Sequence, residues 1–230
     1  MDYNMLVGSS TTAGSIASWV NYSPIAIQAP ELVIEAESWI YRRLRHWMML
    51  TTPQPGVLTV GQGFIPNPSD MLEPFLLWTT GNYFQFIEQR VPQEVVANQA
   101  YDGNGNRIQA QPLMYYQDQA NLNFDSVPDQ AYAYNLIYYQ QPQPLSSTIT
   151  NFITQTYPRL MRLACMASGC EFAKDAGQGN FDRTYWDELA EEEIERARAE
   201  SDRARRATVA AAILVGGGVS SNFPSYVTGY

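Results

Sequence analysis

Apolar positions recur along this chain with two different periods, and the change between them divides it. Leu32, Ala36, Trp39, Ile40, Leu44 and Trp47 fall at helical spacing on one face. Pro30 suits a first helical position. Glu31 and Glu35 follow it, and Arg42, Arg43, Arg45 and His46 come at the other end, an order that complements the helix dipole. The pattern predicts a helix over 30–50, ended by Thr51-Thr-Pro-Gln-Pro-Gly56. Beyond it the period falls to two, and strands are predicted at 57–60, 76–78, 83–87, 113–116, 120–124 and 132–139. In the last, Tyr132, Tyr134, Leu136 and Tyr138 share a face. Gly81-Asn82 fits a tight hairpin, Asp102-Gly-Asn-Gly-Asn106 an exposed loop, and 91–97 a short helix beginning near Pro92.

After Gln140-Gln-Pro-Gln-Pro144 the helical period returns. A short helix is predicted at 148–155, a long one from 158 to about 174, and a last one over about 182–209. Leu160, Leu163, Ala167 and their neighbours cover nearly the whole circumference of the long helix, so it is buried on most sides or lies between subunits. The last helix has a thin stripe (Trp186, Leu189, Ala190, Ile194, Ala197, Ala204) on a charged cylinder. Glu192 with Arg196 and Asp202 with Arg206 stand at i,i+4, and the helix is expected to project from the body. The fold class is α+β. Residues 30–50 and 145–209 make a helical body with an antiparallel β domain, 51–144, inserted. Residues 1–29 form an N-terminal arm or irregular lead-in with a short helix at 15–20, and 210–230 an extended C-terminal arm.

Composition narrows the partners. At 230 residues the chain can bury a full core. Its 15 Tyr and 16% charged residues suit either a partner-covered surface or a Tyr-rich sheet. The net charge of −9 argues against a broad phosphate-neutralising surface. Cys165 and Cys170 stand five apart in a helical pattern and point to different faces, so buried free thiols are expected. No signal peptide is evident, and the apolar run 209–215 is too short to span a bilayer.

Chemistry is sparse. The single histidine, His46, gives a catalytic triad or a His-rich metal site one candidate, and a structural role is expected for it. Gly61-Gln-Gly63 and the triglycine at 216–218 lack the lysine and context of a phosphate loop. Asp70 with Glu73 and Asp125 with Asp129 are the carboxylate pairs a glycosidase would need, although Asp70 is expected to cap a turn at 71–73. The Asp102 loop lacks the bidentate Glu of an EF-hand. The Arg42–Arg45 cluster offers cations to phosphates or to a partner's carboxylates. The expectation is a non-enzyme with no catalytic residues, no metal and no cofactor.

The order of weaker motifs is more telling. Arg43-Leu-Arg-His-Trp47 precedes a Thr-Thr-Pro turn, followed by Ile65-Pro-Asn-Pro-Ser-Asp-Met-Leu-Glu73 and Gln111-Pro-Leu-Met-Tyr-Tyr116. Then come Asn121-Leu-Asn-Phe124, Pro128-Asp-Gln-Ala-Tyr132, Leu136-Ile-Tyr-Tyr139, Tyr157-Pro-Arg-Leu160, an Ala-rich helix and a Trp186 helix. Over roughly 30–200 this resembles the head-to-tail adaptor (connector) proteins of short-tailed and related double-stranded DNA phages. The resemblance implies a commonly dodecameric ring beneath the portal, in the neck of the virion, assembled in the host cytoplasm. Such a ring joins portal to tail or nozzle proteins. Double-stranded DNA passes through it without sequence-specific binding, and no membrane is involved.

A ring needs a heterologous interface that closes. The candidate surfaces are Leu160, Leu163 and Ala167 of the long helix and Tyr132, Tyr134 and Tyr138 of the Tyr-rich strand. Phe223, Tyr226 and Tyr230, spaced along the Gly-rich C-terminus, are the expected portal-docking anchors. The rival expectations are a glycan-binding or glycan-hydrolysing virion protein and a tail nozzle or completion subunit.

Overall fold

The computed structural model describes residues 1–81, 84–177 and 182–215, with side chains described up to residue 206. It is a mixed α+β structure that divides into two compact units, Met1–Trp47 with Gln143–Tyr230, and Met48–Pro142.

The first unit holds α1 (Tyr3–Leu6), α2 (Ile16–Val20), α3 (Ile25–Arg43), α5 (Phe152–Thr156), α6 (Pro158–Asp175) and α7 (Arg183–Val215). The first long helix starts five residues before Pro30, which lies inside it. Ile25 and Ala29 carry the buried stripe of Leu32, Val33, Ala36 and Ile40 back by a turn and a half. Burying Ile25 is worth about 1.5–3 kcal/mol, comparable to the ~3 kcal/mol cost of an interior proline. The helix also ends earlier than the sequence predicts. Leu44 is extended, and the Arg45 guanidinium donates to the Tyr41 and Leu44 carbonyls at 2.6 and 3.1 Å, satisfying groups a helix end leaves unpaired. Trp47 therefore lies outside the helix and is 44% exposed.

The lead-in belongs to this core and is no free arm: Leu6, Ile16, Ala17 and Val20 are buried. Ser15 caps α2, matching the short helix expected there. Central to the unit is α6, which packs against α2, α3, α5 and α7. At Gly169 a β-carbon would sit 3.0 Å from Ile16 Cγ2 and 3.1 Å from Val20 Cγ2, so the missing side chain lets α2 approach. The short helix expected at 148–155 begins at Phe152, where Asn151 and Thr154 form a capping box. On α7 the buried positions are Ala190, Ile194, Ala197 and Ser201, at spacings of four, three and four. Through this stripe it lies along the body rather than projecting from it. Asp202 stands 3.9 Å from Arg205, where the sequence pairs it with Arg206.

The second unit is a seven-stranded sheet in the order β1-β7-β3-β4-β5-β6-β2. The strands are β1 (Gln54–Leu58), β2 (Phe64–Pro66), β3 (Met71–Thr79), β4 (Gln85–Gln89), β5 (Met114–Gln117), β6 (Asn121–Phe124) and β7 (Tyr132–Gln140). Between β4 and β5 runs α4 (Pro92–Ala97), with Pro92 at its first turn as predicted. The sheet is not purely antiparallel: β4 and β5 run parallel, because the long connection carrying α4 returns the chain in the same direction. β3 begins at Met71, where a turn capped by Asp70 was expected, and it carries Pro74. Pro74 lies at a register shift against β7 and beyond the stretch of β3 that β4 pairs with, so its missing N–H breaks no ladder bond.

The sheet must roll. Six chain steps from Leu58 to Phe64 reach at most about 22 Å, whereas a flat seven-stranded sheet would hold its edge strands about 29 Å apart. Accordingly one buried cluster draws on all seven strands: Leu58, Ile65, Leu77, Ile87, Tyr115, Leu122, Phe124, Tyr132, Leu136 and Tyr138.

Candidate functional site

The expected ring-contact residues are for the most part core residues. Leu160, Leu163 and Ala167 are buried among the helices, and Tyr132 and Tyr138 lie in the core of the sheet, while Tyr134 packs half-buried at its edge. Their burial is possible because the polar tips find internal partners. Tyr132 Oη donates to Asp129 Oδ1 at 2.6 Å, and Tyr138 Oη to Asp70 Oδ1 at 2.9 Å. Burial and the Asp70 carboxylate push the Tyr138 hydroxyl up to about 12. The alternating tyrosines that resemble an interface in the sequence thus face inward. Phe223, Tyr226 and Tyr230 lie outside the described residues.

Of the carboxylates proposed for glycan chemistry, Asp70, Asp125 and Asp129 serve the backbone and neighbouring side chains. Asp70 also accepts from Gln140 Nε2 at 2.6 Å. Asp125 is buried and accepts from the amides of Leu113 and Met114 at 3.1 and 3.2 Å. The Asp102 carboxylate accepts from the amides of Asn104 and Asn106, which hold it below the usual carboxylate range and close an exposed hairpin loop. Among the described residues no group of three His, Cys, Asp or Glu side chains is placed to hold a metal ion. No described helix is long and apolar enough to cross a membrane.

The arginine cluster is occupied from within the chain. Arg43 Nε donates to Glu191 Oε1 at 2.6 Å while its guanidinium lies 4.3 Å from the centre of the Trp39 ring. Arg198 of α7 donates to the Arg43 carbonyl at 2.6 Å. Both cysteines are buried and free, with their thiols pushed up by desolvation.

Two polar clusters were not apparent in the sequence, one buried throughout and one built on a buried histidine. Glu37, on the buried face of α3, is 3% exposed. Its carboxylate accepts from Tyr41 Oη at 3.0 Å, Asn151 Nδ2 at 2.8 Å and the Leu145 amide at 3.1 and 3.2 Å. Burial pushes its carboxyl up, and the three donors pull it partly back. The signal available was an acid placed between Val33 and Ile40 on an otherwise apolar stripe. The second cluster joins His46, Tyr157 and Glu200. Tyr157 Oη lies 3.0 Å from His46 Nε2 and donates to Glu200 Oε2 at 2.9 Å. A hydroxyl has one proton to give, so its oxygen accepts from an Nε2–H of the imidazole. His46 is 1% exposed and stacks on Phe152 at 5.3 Å. Desolvation lowers its basicity, and Glu200 opposes that in part. This is the structural role expected of the histidine. The first cluster ties α3, and the second the segment just after it, to parts of the chain that follow the sheet in sequence.

The geometry therefore offers extensive internal fastening. The family model described as SU10 adaptor protein matches residues 10–213, which span both units. No curated protein matches the chain.

Proposed function

Since the chain belongs to the SU10 adaptor protein family, a family of phage head-to-tail adaptors, we propose that it forms a ring beneath the portal. There it would extend the DNA channel and seat the tail or nozzle proteins. A structural role in the phage particle follows from the family itself. On this reading the virion is of the short-tailed type, and the ring has twelve copies, lies in the neck and is assembled in the host cytoplasm. The helical body with its inserted sheet is the adaptor's body, and 210–230, whose first six residues are the end of α7 rather than extended chain, is its docking arm. The observation that carries this reading is the family match across residues 10–213.

The charge supports it as well. At −9 the chain is suited to letting DNA slide past without sticking, since tight binding to the phosphate backbone needs many Lys or Arg contacts. The glycan reading loses ground because Asp70, Asp125 and Asp129 each accept hydrogen bonds from groups of their own chain. The binding energy of such a ring comes from weak contacts multiplied by symmetry.

The test is electron microscopy of the purified protein with and without the portal of the same phage. A ring of about twelve copies on the portal face is expected. Deleting 215–230, which removes Phe223, Tyr226 and Tyr230, is expected to leave the fold intact by far-ultraviolet circular dichroism and to weaken attachment in co-sedimentation. A chain that never attaches to the portal overturns the reading, and full attachment by the truncated chain overturns the assignment of the arm.

A further inference from the structure

The rolled sheet has two faces, and one is filled by its own core. The register places a different set of side chains on the other. Pro55, Asn135, Trp78 and Phe86 form one row across β1, β7, β3 and β4. Leu76 and Ile137 pair in a second row, and Val57 opposite Ala133 lies in a third. Phe84 packs edge-on against Phe86 at 5.2 Å. Val57 and Phe84 are each 59% exposed, while Leu76, Trp78, Phe86 and Ile137 are half-buried. Solvent-facing strand positions normally alternate to polar. Apart from Asn135, these four adjacent strands carry apolar and aromatic side chains on the side away from their core. Trp and Phe concentrate in interfaces, and patches of this kind mark protein contacts.

Charge says what kind of surface fits. Met48–Pro142 contains eight Asp or Glu and two Arg, a net charge of −6, and no lysine. With −9 for the whole chain, −3 remains for the other unit. Neither nucleic acid nor an anionic membrane complements such a unit. A second copy would bring a net-acidic unit, −6 or −3, against this face, so on this reading the copies of the ring meet through other surfaces. The complement is a different protein with an apolar docking surface rimmed by lysine or arginine.

We propose that the outer face of the sheet around Trp78, Phe86, Val57 and Ile137 is the seat of a tail-side virion protein with an apolar, cationically rimmed surface. This rests on the adaptor reading above and deepens it: the sheet unit meets the tail, and the C-terminal arm meets the portal.

The experiment uses full-length rings with the purified portal and tail protein of the same phage as probes, read by biolayer interferometry. Two variants, Val57→Ser and Phe86→Lys, are first checked for wild-type unfolding temperature and ring formation. Expected are unchanged portal binding, tail-protein affinity at least about tenfold weaker for Phe86→Lys, and wild-type tail binding that weakens as sodium chloride rises, because opposite charges are screened. Should Phe86→Lys not fold, Val57→Ser, at a strongly exposed position, carries the test with an expected loss of about threefold. Tail binding within 1.5-fold of wild type by the folded variants overturns the inference, as does tail binding that strengthens with salt. Loss of ring formation by a folded Val57→Ser chain overturns it in favour of a second copy as the occupant. Wild-type rings that bind the portal but not the tail protein overturn it alone, whereas a wild-type chain that binds neither brings down the adaptor reading.

Discussion

Removing the Glu37 carboxylate tests the buried fastening most directly. Glu37→Ala leaves the Leu145 amide, the Asn151 side-chain amide and the Tyr41 hydroxyl without their shared acceptor in a site that is 3% exposed. Each buried donor left unmade costs about 1–3 kcal/mol. Asn151 keeps contacts to Tyr41 Oη at 3.0 Å and the Gln143 carbonyl at 3.3 Å, so its loss is partial. Relief of the desolvation of a buried carboxylate works in the opposite direction. Taken together the net destabilisation is about 3 kcal/mol, or about 6–12 °C in Tm for a chain of this size. Thermal unfolding followed at 222 nm, where the helical unit dominates, measures it.

The pH dependence supplies a second readout. The folded carboxyl is raised above the ordinary value of 4.5, so between that value and its folded one the native state binds more protons than the unfolded chain. Stability contributed by this group therefore falls as pH rises through that window. Glu37→Gln removes the titration, so wild type should lose stability relative to Glu37→Gln on going from pH 4.5 toward neutrality. A Glu37→Ala chain melting within 2 °C of wild type, or a wild-type advantage over Glu37→Gln that grows with pH, refutes the reasoning.

Tyr157→Phe removes the oxygen that accepts from His46 and the proton given to Glu200, and is expected to cost about 1–3 kcal/mol in equilibrium urea unfolding; no measurable shift in the midpoint contradicts the cluster. Gly169→Val drives methyl groups into Ile16 and Val20 of α2, and overpacking of this kind costs about 1–3 kcal/mol; a variant as stable as wild type in the same assay shows that α2 does not pack there. Cys165 and Cys170 should both resist a thiol-directed chromogenic disulfide reagent in the native state and react fully in guanidinium, because the thiolate is the reactive form and burial disfavours it. Labelling of either native thiol within seconds rules that out.

Sequence periodicity located the long helices well because burial on one side repeats every turn. Pro158 to the mid-170s was legible from its apolar circumference, and the helix proved to be central to the unit, with neighbours on several sides. Pro30 misled for the opposite reason: a local propensity was outweighed by burial of Ile25 and Ala29, which only tertiary packing supplies. The parallel β4–β5 pair and the short β2 were invisible because pairing direction and three-residue strands leave no periodic trace. The tyrosines of β7 show the limit most clearly. Alternation in a strand tells which residues share a face but not whether that face looks inward, and here Asp70 and Asp129, distant or out of phase in sequence, make the inward orientation tolerable. The outer apolar face became visible only once register aligned Trp78 with Phe86 and Asn135.

The strands that begin and end the sheet unit are joined to each other. Leu50 bridges Tyr139, and the Thr51 amide donates to the Tyr138 carbonyl at 3.0 Å. To the helical unit, an excursion of roughly a hundred residues is thus a loop whose ends are already held together. If the sheet melted, that loop would behave as a long flexible chain, and closing it instead of a turn of about four residues costs about 3 kcal/mol by the logarithmic scaling of loop entropy. A folded sheet therefore relieves the helices of that cost. The two units are coupled through the statistics of the chain connecting them, and damage confined to the strands should lower the unfolding free energy of the helices.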